Sequence, residues 1–487
     1  MRVLRKSIWP TIFVMVLAAS AGRAQEQSAG QATPPAPPLL SPLASTMNSN
    51  NAEDTSAGLQ ELARDTRALA GAQYLSLGTP ALTHSFWQPL FNLTSTLDTN
   101  PLATNHTSGL TAWSSFYGGL DLRRVSRRSE LILNYLGGGL ISSNGSANDS
   151  LIQQLELGEK LSWRRSAISF FDLLSYLPET SFGFSLPSEP NLTSGQALSV
   201  QPALTPTQSI LTTRGQRISN SFLAEVDTAL TTRSSLTFVG SYSLLRFPAG
   251  GFLNFDDTIF QAGLNHQMTR DDTIALLYRF SAFRYNNFDH SIDGHAVQFT
   301  YGRRITGRLA FQLAAGPEVG LFHRPISTAA GSGGDSATAT NSSPQVYWTL
   351  DTSMTYQRKR AQFALAYDRS LSGGAGVLAG AVDNQVSGSM NSKLSRKLNG
   401  GLVLGYARNE GLNAATPTPS RQSYNYWFGG VNFGHPWSRS ANLFLSYRLQ
   451  FEDSNAGFCV GITCGKSFVR HTVSLGFDWP SRPIPIE

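Results

Sequence analysis

The sequence predicts an all-β protein, a transmembrane antiparallel β-barrel of about 18 strands. Three observations predict it. Apolar and polar residues alternate along many segments, the connections between these segments alternate between short and long, and the chain begins with an export signal. An alternation with a period of two gives a β-strand one apolar and one polar face. A closed barrel with lipid outside and water inside satisfies both faces.

Residues 1–24 have the pattern of a cleavable secretory signal peptide. Basic residues open the segment, an apolar run follows at 12–19, and the small residue Ala24 ends it. The alternative is a membrane anchor, but this apolar run is well short of the roughly 20 residues that a spanning helix needs. The signal therefore predicts export, and the mature chain contains no other segment of membrane-helix length and apolarity.

Two segments separate the signal from the predicted barrel. Residues 25–51 include GQATPPAPPLLSPLAST, a run rich in Pro, Ala and Ser that cannot build a core and predicts a disordered linker. Residues 52–83 carry Thr55 or Ser56 as a helix cap and leucines at roughly helical spacing, which predicts a short helix and a connector. The alternating strands then occupy residues 84–479, the predicted barrel, and a tail follows at 480–487.

Short turns and long loops give the strand count. Eight short connections each contain Arg or Lys: SRRS (126–129), SWRRS (162–166), TTRSS (231–235), MTRDD (268–272), ITGR (305–308), QRKR (357–360), SRKLN (395–399) and HPWSRSA (435–441). Longer loops rich in Gly, Ser, Asn and Pro lie between them. The eight hairpins contain sixteen strands, and the segment 85–98 and the terminal strand bring the total to eighteen, an even number as expected for a bacterial barrel. Pro89 makes the first strand a poor one, and the apolar phase changes within SAISFFDLLSYL and YNYWFGGVNF, so sixteen strands is the alternative.

Composition agrees with an all-β protein and argues against a nucleic-acid partner. The formal net charge of +6 falls to 6 − 4 = +2 once the signal, with four basic and no acidic residues, is removed. Charged residues make up only 14% of the chain and glycines number 44, which suits many turns. A soluble β-sandwich or propeller is the alternative for alternating strands. The signal, the strand length, the lack of repeat motifs and the aromatic residues near strand ends favour the membrane barrel.

The signal, the hairpin rhythm and the near-terminal aromatic strand SLGFDW together resemble bacterial outer-membrane β-barrel proteins of porin-like size, from about His84 to Trp479. The resemblance implies a location in the bacterial outer membrane, with short turns, linker and tail in the periplasm and long loops outside. It implies outer-membrane lipid, the outer-membrane assembly machinery and small hydrophilic solutes as partners, and often a homotrimer. Such barrels usually end on an aromatic residue that the assembly machinery recognises, whereas here Trp479 is followed by PSRPIPIE. An inward-folded loop would narrow a porin-like pore, and 175–219 and 322–344 are the long candidates.

Charged residues at the polar positions of the strands are predicted to line the pore or its rims. They are Glu156, Lys160, Glu225, Asp227, Arg279, Arg308, Glu318, Asp351, Asp368, Lys393, Arg448 and Arg470. A polar lumen of this size favours passive diffusion of small hydrophilic solutes, without cofactor or metal. The alternative is a plugged or structural barrel that acts in envelope assembly, surface attachment or polymer export.

The remaining motifs are weak as catalytic signals. Cys459 and Cys464, the only cysteines, lie close together on the last long loop, which predicts a local disulfide in an exported protein, with free thiols or a metal site as alternatives. The segment HSIDGH brings His290, Asp293 and His295 together, but a solvated turn is favoured over a catalytic site at the external rim, and no enzyme is predicted. The Gly-rich GSGGD and GGAGVLAG lack the Lys and the setting of a phosphate loop and are interpreted as flexible external loops.

Overall fold

The computed structural model describes residues 84–100, 109–142, 150–177, 217–248, 253–286, 291–327, 338–374, 378–412, 422–438, 440–455 and 467–486. They form one closed antiparallel sheet, which confirms the predicted barrel and its eighteen strands. The strands are β1 (Phe86–Asp98), β2 (Thr111–Val125), β3 (Ser129–Ser142), β4 (Ser150–Ser162), β5 (Ser166–Leu177), β6 (Arg217–Ala229), β7 (Ser234–Arg246), β8 (Phe255–Gln267), β9 (Asp272–Tyr285), β10 (Ser291–Thr306), β11 (Leu309–Ser327), β12 (Thr338–Arg358), β13 (Ala361–Ser372), β14 (Ala381–Ser395), β15 (Leu398–Gly411), β16 (Ser423–Pro436), β17 (Asn442–Ser454) and β18 (Ser467–Pro480), with a two-residue β19 (Ile484–Pro485). Within the part of the chain that the structure describes, no helix has the length and apolarity needed to cross a membrane.

The first and last strands close the sheet. β1 pairs with β18 from Leu90 opposite Pro480 to Asp98 opposite Thr472. Pro89 lies just outside that ladder, where its missing N–H costs no hydrogen bond to β18, and its carbonyl accepts a hydrogen bond from Ser481 N at 2.9 Å. β19 then pairs with the first two residues of β1, so the predicted C-terminal tail follows the edge of the barrel.

The connections fall at two ends of the barrel, as the turn pattern predicts. All eight short turns lie at the end where β1 begins and β18 finishes, which we call the short-turn end. The longer connections lie at the opposite, long-loop end.

Outer and inner faces follow the strand alternation. In β1, Leu93 and Leu97 are 48% and 44% exposed, whereas Asn92, Thr94 and Asp98 at the alternate positions are almost completely buried. Large apolar side chains remain exposed in the same way on strands all around the sheet. A band of this kind is unfavourable in water and favourable in lipid, so it identifies the outer face as the membrane face.

The inner face is less uniformly polar than the alternation predicts. β5, β6 and β7 bury Phe171, Leu173, Leu223 and Val239 on that side, between polar positions. The phase change in YNYWFGGVNF has the same origin, because Tyr424, Tyr426 and Phe428 of β16 point inward while Trp427 remains exposed outside. In these strands aromatic and aliphatic side chains pack together inside the barrel, so both the inner and the outer face of the strand are apolar.

Candidate functional site

One hairpin leaves the barrel wall and enters the lumen. β12 and β13 pair from the short-turn end only as far as Leu350 opposite Arg369, although β13 continues to pair with β14 as far as Ser372 opposite Ala381. β12 meanwhile continues along β11. The segment 370–382, of which the structure describes all but 375–377, thus turns away from β12. We call this segment the inward hairpin and the point where it leaves β12 the fork.

Apolar packing holds the inward hairpin against the inner face of β8 to β11. Leu371, 4% exposed, belongs to a buried cluster with Phe255, Phe283, Ile292 and Phe322, which come from four different strands. A Cβ at Gly373 would lie only 3.0–3.1 Å from the rings of Phe255 and Phe283, so the backbone itself touches the opposing wall. The hairpin therefore covers the lumen side of these strands near the long-loop end.

Two hydrogen bonds add to this packing. The Tyr285 hydroxyl donates to the Gly373 carbonyl at 2.8 Å, and the backbone N–H of Leu371 donates to Glu318 Oε2 at 3.2 Å. Both acceptors are buried, and an unmatched buried polar group costs more than the bond itself contributes. Release of the hairpin therefore requires water to replace both bonds.

Glycine permits the bend. Gly374 and Gly380 adopt φ angles of +73° and +89°, the left-handed region that other residues rarely occupy. The interpretation of GGAGVLAG as an external flexible loop is wrong for its described residues, because they pack inside the barrel. Of the two loops expected to fold inward, 175–219 lies mostly outside the described residues. In the 322–344 region, residues 322–327 and 338–344 are strand, since the β11–β12 ladder extends to Ser327 opposite Thr338.

A charged cluster lies beneath the inward hairpin. Arg279 Nη2 donates to Glu318 Oε1 at 3.0 Å, and both side chains are at least 98% buried. Their strands are separated by β10, where the small Ala296 lies between them in register, so the long arginine reaches across it. Asp257, Asp351 and Asp368 also lie within electrostatic reach of Arg279.

Asp351 and Asp368 are directly opposite each other on β12 and β13, one residue short of the fork. Like charges in this position destabilise a sheet. The Ser370 hydroxyl donates to Asp368 Oδ1 at 3.0 Å, and Arg279 supplies the nearby positive charge. The cluster around Arg279 therefore contains more carboxylates than cations.

A second charged cluster closes the seam between β18 and β1. Arg470 binds Asp98 through three contacts of 2.6–3.1 Å, and the Asp98 side chain is completely buried. Arg448 and Glu452 of β17 extend this cluster on the same inner face. Opposite charges are balanced here, in contrast to the cluster under the hairpin.

The inner face of β2 to β7 carries further polar groups. Asp121 and Arg123 form an ion pair of 3.2 Å. The Asn134 amide donates to Glu156 Oε2 at 3.1 Å, Lys160 lies directly across from Glu130, and Thr237 donates its hydroxyl to Asp227 at 2.5 Å. Glu225, 1% exposed, precedes Asp227 on the same face.

Of the twelve charged residues predicted to line the pore, ten lie on the inner face of the barrel and two lie at its rim. The ten on the inner face are Glu156, Lys160, Glu225, Asp227, Arg279, Glu318, Asp351, Asp368, Arg448 and Arg470. Arg308 is exposed in the turn between β10 and β11, and Lys393 is exposed near the end of β14. Their role as pore lining stays a prediction. Asp98 and Asp257 were not predicted at the pore, although both are buried on the inner face and follow the same polar alternation, Asp98 at the last position of β1 and Asp257 near the start of β8.

The structure describes only some of the residues in the cysteine and histidine motifs. Cys459, Cys464 and His290 lie outside the described residues, so the disulfide stays a prediction. His295 is hydrogen-bonded through Nδ1 to the Tyr278 hydroxyl at 2.9 Å, while Asp293 binds Arg284 and His323 instead. Among the described residues, no group of His, Cys, Asp or Glu is arranged to hold a metal ion.

Comparison with known proteins returns distant structural likenesses. No protein-family model and no curated protein matches the sequence. Among solved structures, the chain is similar to Acinetobacter baumannii OccAB3 (8% identity, TM-score 0.41, 81% of this chain and 99% of that chain) and to the outer membrane protein opdK from Pseudomonas aeruginosa (12% identity, TM-score 0.38, 81% and 99%). It is also similar to Pseudomonas aeruginosa OccK2 (OpdF) (11% identity, TM-score 0.40, 81% and 98%). At this distance the likenesses support no argument about solutes or mechanism. The closed sheet and its apolar outer band nevertheless make the chain an eighteen-stranded membrane β-barrel of the type found in bacterial outer membranes.

Proposed function

We propose that this protein is a porin-like outer-membrane channel for the passive diffusion of small hydrophilic solutes. The observation that carries the proposal is a polar, charged inner face in a barrel of eighteen strands. Barrels of 16–18 strands are wide enough to leave an aqueous channel after their own side chains have filled part of the interior. The short-turn end faces the periplasm and the long-loop end faces outward, as in other barrels of this class.

The inward hairpin narrows the channel on one side. It packs on β8 to β11, whereas β17, β18 and β1 to β4 lie on the opposite side of the barrel. Solutes would pass along that opposite sector, where the Arg470–Asp98 and Arg123–Asp121 pairs are located. In both pairs the carboxylate is buried against its arginine, so each pair adds little net charge to that sector.

A preference for cations follows from the charge of the inner face. Its carboxylates are Asp98, Asp121, Glu130, Glu156, Glu225, Asp227, Asp257, Glu318, Asp351, Asp368, Asp383, Glu452 and Asp478, and its cationic side chains are Arg123, Lys160, Arg279, Arg448 and Arg470, with Arg304, Arg308 and Lys393 at the rim. Rings of carboxylates favour cation passage through a pore. The excess of carboxylates predicts a channel that conducts potassium in preference to chloride.

Single-channel recording tests the proposal. Mature protein refolded in detergent, with its fold checked by heat-dependent gel mobility, is added to a planar lipid bilayer. Stable current steps that scale with bulk salt, and a reversal potential of the cation-selective sign under a salt gradient, are expected. A folded barrel that inserts without conducting would contradict the channel and favour the plugged or structural role in envelope assembly, surface attachment or polymer export. Chemical cross-linking in the same detergent would test the predicted homotrimer.

A further inference from the structure

The outer face of β12 to β15 contains an apolar groove near the short-turn end. Its volume is about 310 Å³. Gly388 forms its floor, and Phe363 and Leu365 line one side while Leu402 and Leu404 line the other. The groove exists because Gly388 lacks a side chain between two rows of large ones, which leaves a depression in the membrane face.

Two aromatic side chains form the part of the groove nearest the β12–β13 turn, and two methionine side chains complete its lining. Tyr356 and Phe363 lie in contact with their ring centroids 6.1 Å apart, and Met354 and Met390 lie above and beside them. Methionine side chains adapt to irregular apolar partners. The lining therefore suits a flexible hydrocarbon chain.

A dense group of positive charges lies directly below the groove. Arg358 ends β12, Lys359 and Arg360 form the β12–β13 turn, and Arg396 and Lys397 form the β14–β15 turn, all of them exposed. Neither segment 354–365 nor segment 388–404 contains Asp or Glu. At a rise of about 3.3 Å per residue, the groove begins roughly 7 Å from the β12–β13 turn, at Tyr356, and roughly 16 Å from the β14–β15 turn, at Leu402.

This arrangement matches the chemistry of one kind of ligand. An anionic phospholipid carries its charge at the membrane surface and its acyl chains directly beneath, and basic clusters at that level attract anionic headgroups. We propose that the periplasmic-leaflet side of β12 to β15 is a binding site for an anionic phospholipid, with its phosphate on the two basic turns and an acyl chain in the Gly388 groove. The site is on the outside of the barrel and does not depend on an open channel.

Two variants separate the acyl contact from the headgroup contact. An added Cβ at Gly388 meets only ordinary contacts of 3.8 Å or more, so Gly388→Leu fills the groove without disturbing the sheet. Its matched control is Gly240→Leu, on the outer face of β7, where a Cβ meets nothing within 4 Å. Exchange of all five basic residues of the two turns for glutamine removes the headgroup partners. The control for that variant neutralises five other exposed turn arginines, Arg127, Arg128, Arg164, Arg165 and Arg233.

Native mass spectrometry of the refolded barrels in nonionic detergent measures the binding directly. Each protein is titrated with phosphatidylglycerol and, separately, with phosphatidylcholine of the same acyl chains. We expect wild-type protein to retain one phosphatidylglycerol with at least about a tenfold preference over phosphatidylcholine. The five-glutamine variant should lose the preference and Gly388→Leu should lose the bound lipid, while both controls behave as wild type. Equal retention of the two lipids by wild-type protein, or equal losses in a variant and its control, would overturn the proposal.

Discussion

The inward hairpin should control the conductance of the channel, and Leu371→Ala tests this. Leu371 is 4% exposed in the cluster that holds the hairpin to β8–β11. Truncation of a leucine this deeply buried costs about 2–5 kcal/mol. Because the lost contacts join the hairpin to the opposing wall, that cost falls on the attached state and leaves the closed sheet intact.

A loss of about 2–5 kcal/mol raises the population of the detached hairpin by roughly 30-fold to several thousand-fold. Tyr285→Phe removes only the 2.8 Å hydrogen bond to Gly373, which costs about 1 kcal/mol and should raise the same population roughly fivefold. Single-channel recordings should therefore show a larger conductance level that is rare in wild type, more frequent in Tyr285→Phe and dominant in Leu371→Ala.

The matched control is Leu173→Ala. Leu173 is also 4% exposed on the inner face, but it lies on β5, outside the hairpin cluster. This variant should reduce the free energy of unfolding of the barrel by about 2–5 kcal/mol and retain wild-type current levels. Identical recordings from Leu371→Ala and Leu173→Ala would refute the reasoning, since the hairpin would then have no special part in conduction.

Three further predictions concern the charges and the membrane face. Asp368→Asn relieves the like-charge contact with Asp351, so it should raise the unfolding midpoint slightly and lower the potassium-to-chloride permeability ratio, measured from reversal potentials. Arg470→Met leaves the buried Asp98 without its cation and should reduce the free energy of unfolding in urea by about 3–5 kcal/mol, whereas an unchanged stability would contradict the seam described above. Leu475→Arg places a charge on the outer face of β18, where Leu475 is 60% exposed, and should destabilise the inserted barrel by up to about 2–4 kcal/mol; a neutral result would mean that this face does not meet lipid.

Strand number and facing could be predicted from the sequence because the membrane imposes the same requirement on every strand. Each strand that crosses the membrane needs an apolar residue at every second position. In β18, Val473, Leu475 and Trp479 alone therefore identify the face that points to lipid. The turns add an independent signal, since short connections recur at one end only. Local information of these two kinds is sufficient to count strands.

The inward hairpin could not be predicted in the same way. Its position depends on contacts between residues far apart in sequence, such as Tyr285 and Gly373, which are 88 residues apart. The sequence does contain a trace of it: Phe255, Phe283 and Ile292 occupy the polar positions of their strands near the long-loop end. Apolar residues at positions that should face water indicate that something covers them, but the pattern does not identify the covering segment.

The position of the fork follows from membrane physics. β12 pairs with β13 from Arg358 up to Leu350, nine residues, and a tilted strand needs about 9–11 residues to cross the hydrocarbon layer. Within that layer an unpaired strand edge would leave backbone groups without hydrogen bonds, which lipid does not permit. The wall can therefore separate only where the crossing is complete.

Side chains at the fork are those expected of a membrane interface. The Arg369 guanidinium lies 4.4 Å from the ring centre of Trp348, which is 52% exposed on the outer face. Tryptophan is enriched at the level of lipid headgroups, and a cation over its ring is stabilised there. Between the short-turn end and Leu350, the membrane requires β12 and β13 to stay paired. Beyond Leu350, toward the long-loop end, β13 can leave β12, and the inward hairpin there enters the channel.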